Sequence, residues 1–293
     1  MPSSWIAALV GTGLLLAPAR VPAQEPEGET VGGRTYEVFP SSQPYRPYRA
    51  DPRTPEFGLL YLYYADANIA DSGSRRTGLK LGGRFGLLNI HPRDRPEDGW
   101  QIDIEAGFSG QFDIEHSLDN IGWDGTYAFL VSHSPAPGLA LQLGTKHISS
   151  HVGDEYAERT GRRRIEYTRE EAVGGFSWTL DQRRRAYAEA GWGYAPKDEI
   201  GQEPGRLQIG FEYQEPGDIR VPAGRLGWYA ASNIESMEEQ DWDPDIAVQA
   251  GLLVPAGDRR WRVGVGYYTG RVPIGEFFQE EEDHFTFGLW LEP

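Results

Sequence analysis

The chain has 293 residues, with 28 Lys and Arg against 44 Asp and Glu, a formal net charge of −16. It is 39% hydrophobic and carries 37 Gly, 9 Trp, 15 Tyr and 12 Phe but no Cys. A disulfide framework is excluded. A bundle of spanning helices lacks the long apolar stretches it needs, and the acidic balance argues against nucleic acid as a partner. An all-β protein remains, either soluble or a β-barrel whose polar inner face dilutes its hydropathy.

Trp5 to Leu16 (WIAALVGTGLLL) is an apolar run of signal-peptide length. Pro18 follows, and Val21-Pro22-Ala23 before Gln24 reads as a small-residue cleavage site. Residues 1–23 are therefore expected to be a signal peptide, with the mature chain exported from the cytoplasm. Residues 24–55 are rich in Pro, Glu and Arg and have no period. They are expected to form an extended periplasmic segment.

From Phe57 onward apolar and polar residues alternate, the signature of strands with one greasy face. In Trp100–Ile114, Trp100, Ile102, Ile104, Ala106, Phe108 and Phe112 share one side. Gln101, Asp103, Glu105, Ser109, Gln111 and Asp113 share the other. Such a run exceeds the usual five or six residues of a strand but suits a membrane-spanning one. The pattern recurs through Leu139-Leu141-Leu143, Phe176-Trp178-Leu180, Leu207-Ile209-Phe211-Tyr213 and Trp261-Val263-Val265-Tyr267. It closes on Phe285-Phe287-Leu289-Leu291, an ending like the C-terminal signal of outer-membrane barrels. The expected fold is all-β, an antiparallel up-and-down transmembrane β-barrel of about twelve strands over residues 56–293. Connections alternate between short ones at 134–138, 181–183 and 255–258 and long, polar ones at 66–77, 152–162, 196–204, 236–244 and 271–283. Barrels show that alternation between their periplasmic and outer ends. Two lower connections, near 91–98 and 215–224, are longer than the rule prefers.

One segment carries chemistry: Thr145-Lys146-His147-Ile148-Ser149-Ser150-His151-Val152-Gly153-Asp154-Glu155. Strand parity puts His147, Ser149 and His151 on the face of Leu139, Leu141 and Leu143, which meets lipid. A His and a Ser two apart on one side form the minimum of a base-activated hydroxyl nucleophile. Glu166 and Glu170, on the next strand, are candidates to orient the imidazole of His147. Asp154 and Glu155 are candidates for a divalent cation, calcium among them. The bland alternative is that these polar residues mark the edge of the bilayer. Inward Asp103, Glu105, Asp113 and Glu189 either line a cation-preferring lumen or form a satisfied polar plug. Arg162-Arg163-Arg164 reads as interfacial charge or a contact for lipopolysaccharide phosphates. The acidic stretches Glu235–Asp245 and Glu276–Asp283 are expected in outward loops, binding cations that bridge lipopolysaccharide.

The chain resembles the domain of unknown function family 1207. The likeness rests on Ala50-Asp51-Pro52-Arg53 with Pro55, Gly82-Gly83-Arg84-Phe85-Gly86, Gln111-Phe112-Asp113, His147-x-Ser149-Ser150-His151-x-Gly153-Asp154-Glu155 and Tyr167-Thr168-Arg169-Glu170. It covers nearly the whole mature chain and implies a bacterial outer-membrane protein without an assigned activity. The His-x-Ser element is also similar to that of outer-membrane phospholipase A and the lipid A deacylases, which carry an Asn or Glu on the following strand. That similarity implies His147 as base and Ser149 as nucleophile, although Ser150 stands where an Asn usually follows the Ser. Two functions are thus set against each other. One is a lipid acyl-ester hydrolase at the outer leaflet. The other is a non-enzymatic barrel, either a narrow pore or a structural or docking protein. Membrane lipids and lipopolysaccharide are the expected partners in the outer membrane.

Overall fold

The computed structural model describes residues 28–292 apart from 96, 97, 222, 223 and 258. The expected signal peptide lies outside the described residues. A small hairpin, β1 (Glu29–Val31) and β2 (Arg34–Val38), precedes twelve long strands. These are β3 (Phe57–Asp66), β4 (Arg75–Pro92), β5 (Trp100–Asp113), β6 (Asp119–Ala136), β7 (Leu139–Val152), β8 (Thr168–Thr179) and β9 (Arg184–Gly193). The series continues with β10 (Gly205–Val221), β11 (Gly224–Met237), β12 (Pro244–Ala256), β13 (Arg259–Arg271) and β14 (Glu281–Glu292). Each pairs antiparallel with its neighbour in sequence, and β14 pairs with β3 to close the ring, Leu289 opposite Leu59 and Phe287 opposite Tyr61. Closure leaves none of the twelve long strands as a free sheet edge.

Alternation decides which way each strand faces. On β5, Trp100 and Ile102 are 51% and 41% exposed, whereas Gln101 and Asp103 are 0% and 1%. The outer wall is thus the apolar one and the lumen the polar one, the reverse of a water-soluble barrel. In the awkward lower connection near 215–224, residues up to Val221 are strand and not loop. β10 continues to Val221 opposite Gly224, and a register shift between Glu215 and Ile219 absorbs the extra residues as a bulge.

The N-terminal segment departs from the expectation of a chain lying outside the barrel. β2 does extend the sheet, pairing with the lower end of β4. Residues 40–56 then enter the lumen. The Tyr48 hydroxyl donates to Glu189 at 3.0 Å, and its ring stacks on Tyr187 at 3.9 Å. The Arg49 backbone N–H donates to Glu212 at 3.0 Å, and its guanidinium to Glu292 at 2.7 Å. Arg53 bonds Glu235 at 2.5 Å. The prolines at 40, 44, 47, 52 and 55 favour the extended backbone needed to thread a narrow lumen. Two wall glycines leave room for it, since a Cβ at Gly175 would meet the Tyr45 hydroxyl and one at Gly107 would meet Pro55.

The wall charges pair around this segment. Arg206 reaches Glu171 and Glu189 at 2.7 Å and Glu235 at 3.3 Å. Arg84 meets Glu105 at 2.8 Å, and Arg271 meets Glu235 at 2.9 Å and Asp245 at 2.6 Å. Buried charges persist only when so paired. Of the two readings of the inward acids, the satisfied network is the one observed for Glu105 and Glu189. Asp103 takes bonds from Gln101 and Ser132, and Asp113 from Gly73 and His116.

The upper end is capped. Ile69, Ile121, Val152, Tyr156, Val272, Ile274 and Phe277 form one buried apolar cluster above the lumen. Tyr156 belongs to α1 (Asp154–Thr160), a helix of about two turns between β7 and β8. The acidic stretches expected to face outward are largely consumed here. Glu235 and Asp245 belong to the ion-pair network, Glu282 pairs with Arg76 at 2.7 Å, and Glu276 accepts the backbone N–H groups of Ile165 and Tyr167. These four are structural carboxylates, whereas Asp241, Asp243 and Glu281 stay exposed.

Candidate active site

The site is built on the outer wall near the upper end of β7. Inward positions Gln142, Lys146 and Ser150 belong to the lumen network. Outward positions run Leu141, Leu143, Thr145, His147, Ser149 and His151, so the apolar belt gives way to a polar patch within one strand. Register with β8 then matters. His147 lies opposite Glu170 and Ser149 opposite Thr168.

That register puts the His147 Nδ1 2.6 Å from Glu170 Oε1. The side chains are 19% and 34% exposed, so the pair sits half-shielded against the wall. A carboxylate can only accept, so this bond requires the proton on Nδ1, which in the neutral ring leaves the lone pair on Nε2. The Tyr194 hydroxyl donates to the second oxygen, Glu170 Oε2, at 3.2 Å, and lies 3.1 Å from Thr145 Oγ1. Tyr127 stacks on the His147 ring with centroids 4.5 Å apart. The imidazole is thus fixed by a carboxylate on one side and an aromatic face on the other.

Ser149 is not bonded to His147. Its Oγ lies 3.0 Å from the Nε2 of His151, the next outward residue, whose ring stacks on Trp123 at 4.2 Å. Two imidazoles therefore flank one hydroxyl along the strand, and among the described residues only His147 has an acid behind it. Glu166 does not join them. It is exposed in the connection before β8, with a positive φ of 55°, and its carbonyl accepts from Lys197 Nζ. The residues that sequence reasoning did not assign here are His151 as the partner of Ser149, and Tyr194, Tyr127 and Trp123 as supports. The parity of His151 was visible; the cross-strand neighbours required the register.

Asp154 and Glu155 open α1. Asp154 pairs with Arg164 and is otherwise in solvent. Among the described residues no group of three or more His, Cys, Asp or Glu gathers to hold a metal ion. Of the arginine run, Arg162 is bound to Glu280 and to the Glu276 carbonyl and lies over the Phe277 ring, so it belongs to the cap.

Known structures share the architecture. Outer membrane phospholipase A from Escherichia coli superposes with a TM-score of 0.59 at 11% identity, over 86% of this chain and 95% of that one. The Salmonella typhi outer membrane phospholipase dimer with bound calcium gives 0.57 at 11% identity, over 85% and 94%. At such identity the likeness establishes a common fold, the closed antiparallel barrel of twelve strands. No curated protein matches the sequence. The family described as protein of unknown function (DUF1207) matches residues 24–292, nearly the whole chain. With its polar lumen, apolar outer wall and outer-membrane barrel fold, the chain belongs to the DUF1207 family.

Proposed function

We propose that this protein is an outer-membrane serine hydrolase that cleaves acyl esters of membrane lipids at the outer leaflet. One observation carries the reading. A carboxylate-oriented imidazole, His147 with Glu170 at 2.6 Å, sits on the lipid-facing wall with a serine hydroxyl two residues above it. The pair stands where the apolar belt of β7 ends, and a carboxylate-oriented imidazole beside a hydroxyl is what a base-activated nucleophile requires. The names of the structural neighbours, outer membrane phospholipases, agree with the reading.

The chemistry follows from the named atoms. Ser149 Oγ turns toward His147 and attacks the acyl carbonyl carbon as His147 Nε2 takes its proton. The Oγ–acyl bond forms, and the ester C–O bond to the glycerol or glucosamine oxygen breaks. That oxygen leaves with the proton returned by Nε2. Water, deprotonated by the same nitrogen, then releases the fatty acid and regenerates Ser149. Glu170 holds the ring in the required tautomer throughout and stabilises its cationic form.

The test is deacylation of phospholipid and of lipid A by the detergent-folded protein, with calcium or with a chelator. Ser149→Ala is expected to abolish fatty-acid release while the barrel keeps its heat-modifiable gel migration. A wild type that releases no fatty acid from either substrate overturns the reading. The alternative of a structural or docking barrel draws its support from the resting contact of Ser149 with His151 rather than His147. A pore draws none, because residues 40–56 and the paired wall charges occupy the lumen.

A further inference from the structure

Ser149 stands midway between two imidazoles on one strand face, each about 6.8 Å away along the backbone. The contact that exists is with the one lacking an acid. Ser149 Oγ lies 3.0 Å from His151 Nε2, and Trp123, stacked on His151 at 4.2 Å, holds that ring in place. Trp123 is itself packed on Phe108, with centroids 5.5 Å apart. His147 meanwhile is committed through Nδ1 to Glu170, and among the described residues its Nε2 makes no hydrogen bond.

We propose that His151 is a further residue of the site, which holds the Ser149 hydroxyl in an unproductive rotamer away from His147 until lipid displaces it. The inference rests on the reading of Ser149 and His147 as nucleophile and base. The serine side chain has three staggered wells about 120° apart. One well directs Oγ up the strand to His151, and a rotation about χ1 directs it down toward His147. An acyl chain lying along the apolar wall at Leu141 and Leu143 brings its ester to the same height, against Ser149. There it competes with the hydrogen bond to His151. His151 is a positioning residue in this scheme, since the proton is taken by the nitrogen that Glu170 backs.

The experiment compares His151→Phe with His147→Phe, each keeping a ring to stack on its aromatic neighbour, in detergent-folded full-length protein. The first readout is the rate at which an alkyl fluorophosphonate labels Ser149. His151→Phe is expected to label about fivefold faster, the scale on which one net hydrogen bond shifts an equilibrium. His147→Phe is expected to lose labelling by 10²-fold or more, the range of a removed general base, on the order of 10² to 10⁴. Loss of labelling in His151→Phe equal to that in His147→Phe overturns the inference, making His151 the base. An unchanged rate in His151→Phe overturns it too. A second readout does not depend on reactivity. Histidine ring ¹⁵N spectra should show the His151 Nε2 signal move in Ser149→Ala while the His147 Nδ1 signal stays. Movement of His147 alone overturns the holding contact. Absence of all labelling with the spectral change present counts against the hydrolase reading and leaves the Ser149–His151 contact standing.

Discussion

Glu170 and Glu166 are four positions apart in sequence and have opposite fates in the fold. Glu170 binds His147 at 2.6 Å and accepts from Tyr194, whereas Glu166 is exposed with its carbonyl held by Lys197. The expected consequence is a clean split. Glu170→Ala lowers lipid deacylation by on the order of 10²-fold or more, as for other groups that set an imidazole's tautomer, and Glu166→Ala leaves the rate within twofold of wild type. Fatty-acid release by the two purified variants measures it, and equal rates would detach Glu170 from the chemistry. Sequence could place His147 and Ser149 on the outer face because strand parity needs no partner. It could not choose between the glutamates. The stretch from 153 to 167 holds α1, a left-handed Gly161 and irregular chain, so the offset between β7 and β8 cannot be counted along it. The partner of Ser149 was equally hidden, since His147 and His151 are symmetric about it until side-chain rotamers are known.

Among the elements, the connection between β13 and β14 has the most reach. Its short 3₁₀ turn, Gly275–Phe277, folds over the upper ends of β6, β7 and β8. The Glu276 backbone N–H donates to Ser150 Oγ at 2.8 Å, on the lumen side of the strand that carries Ser149 outside. The Glu276 carboxylate accepts the N–H groups of Ile165 at 2.9 Å and Tyr167 at 3.2 Å, which lead into the strand carrying Glu170. One residue thus clasps both strands of the candidate site from behind. Glu276→Ala strands the buried N–H of Tyr167, a loss of roughly 1–3 kcal/mol, and frees the half-buried one of Ile165. A lower urea midpoint is expected, with faster hydrogen exchange at the amides of 165 and 167. Unchanged exchange there would show that the clasp is not what holds the register. The acidic run 276–283 looks from sequence like a solvated fringe, because Glu in a loop usually is one. Its buried members become visible only when the backbone donors and Arg76 that need acceptors are in place.

For the molecule as a whole, the net charge of −16 and the 39% hydrophobic content describe two surfaces at once. Apolar residues are spent on the outer wall, so the interior is held by charge. Period-2 alternation revealed that arrangement and, with it, the strand count. It gave no sign that residues 40–56 thread the lumen, because an aperiodic Pro-rich stretch reads the same inside a barrel as outside. Only the partners distinguish the two: Tyr48 with Glu189, Arg49 with Glu212, and Arg53 with Glu235. Arg206 is the hub of this interior, touching Glu171, Glu189 and Glu235 from a buried position. Lys146, which is the lumen-side neighbour of His147 on β7, shares Glu189 with it. Arg206→Ala leaves three carboxylates short of a cation, and breaking a buried pair by removing one partner costs about 3–5 kcal/mol. The variant is expected to fold with a strongly reduced urea midpoint, and the loss should exceed that of Arg163→Ala, a substitution in the exposed upper connection, by nearly the whole amount. Equal midpoints would mean that water in the lumen screens these charges, and the interior would then have to be regarded as wet rather than as a packed polar core.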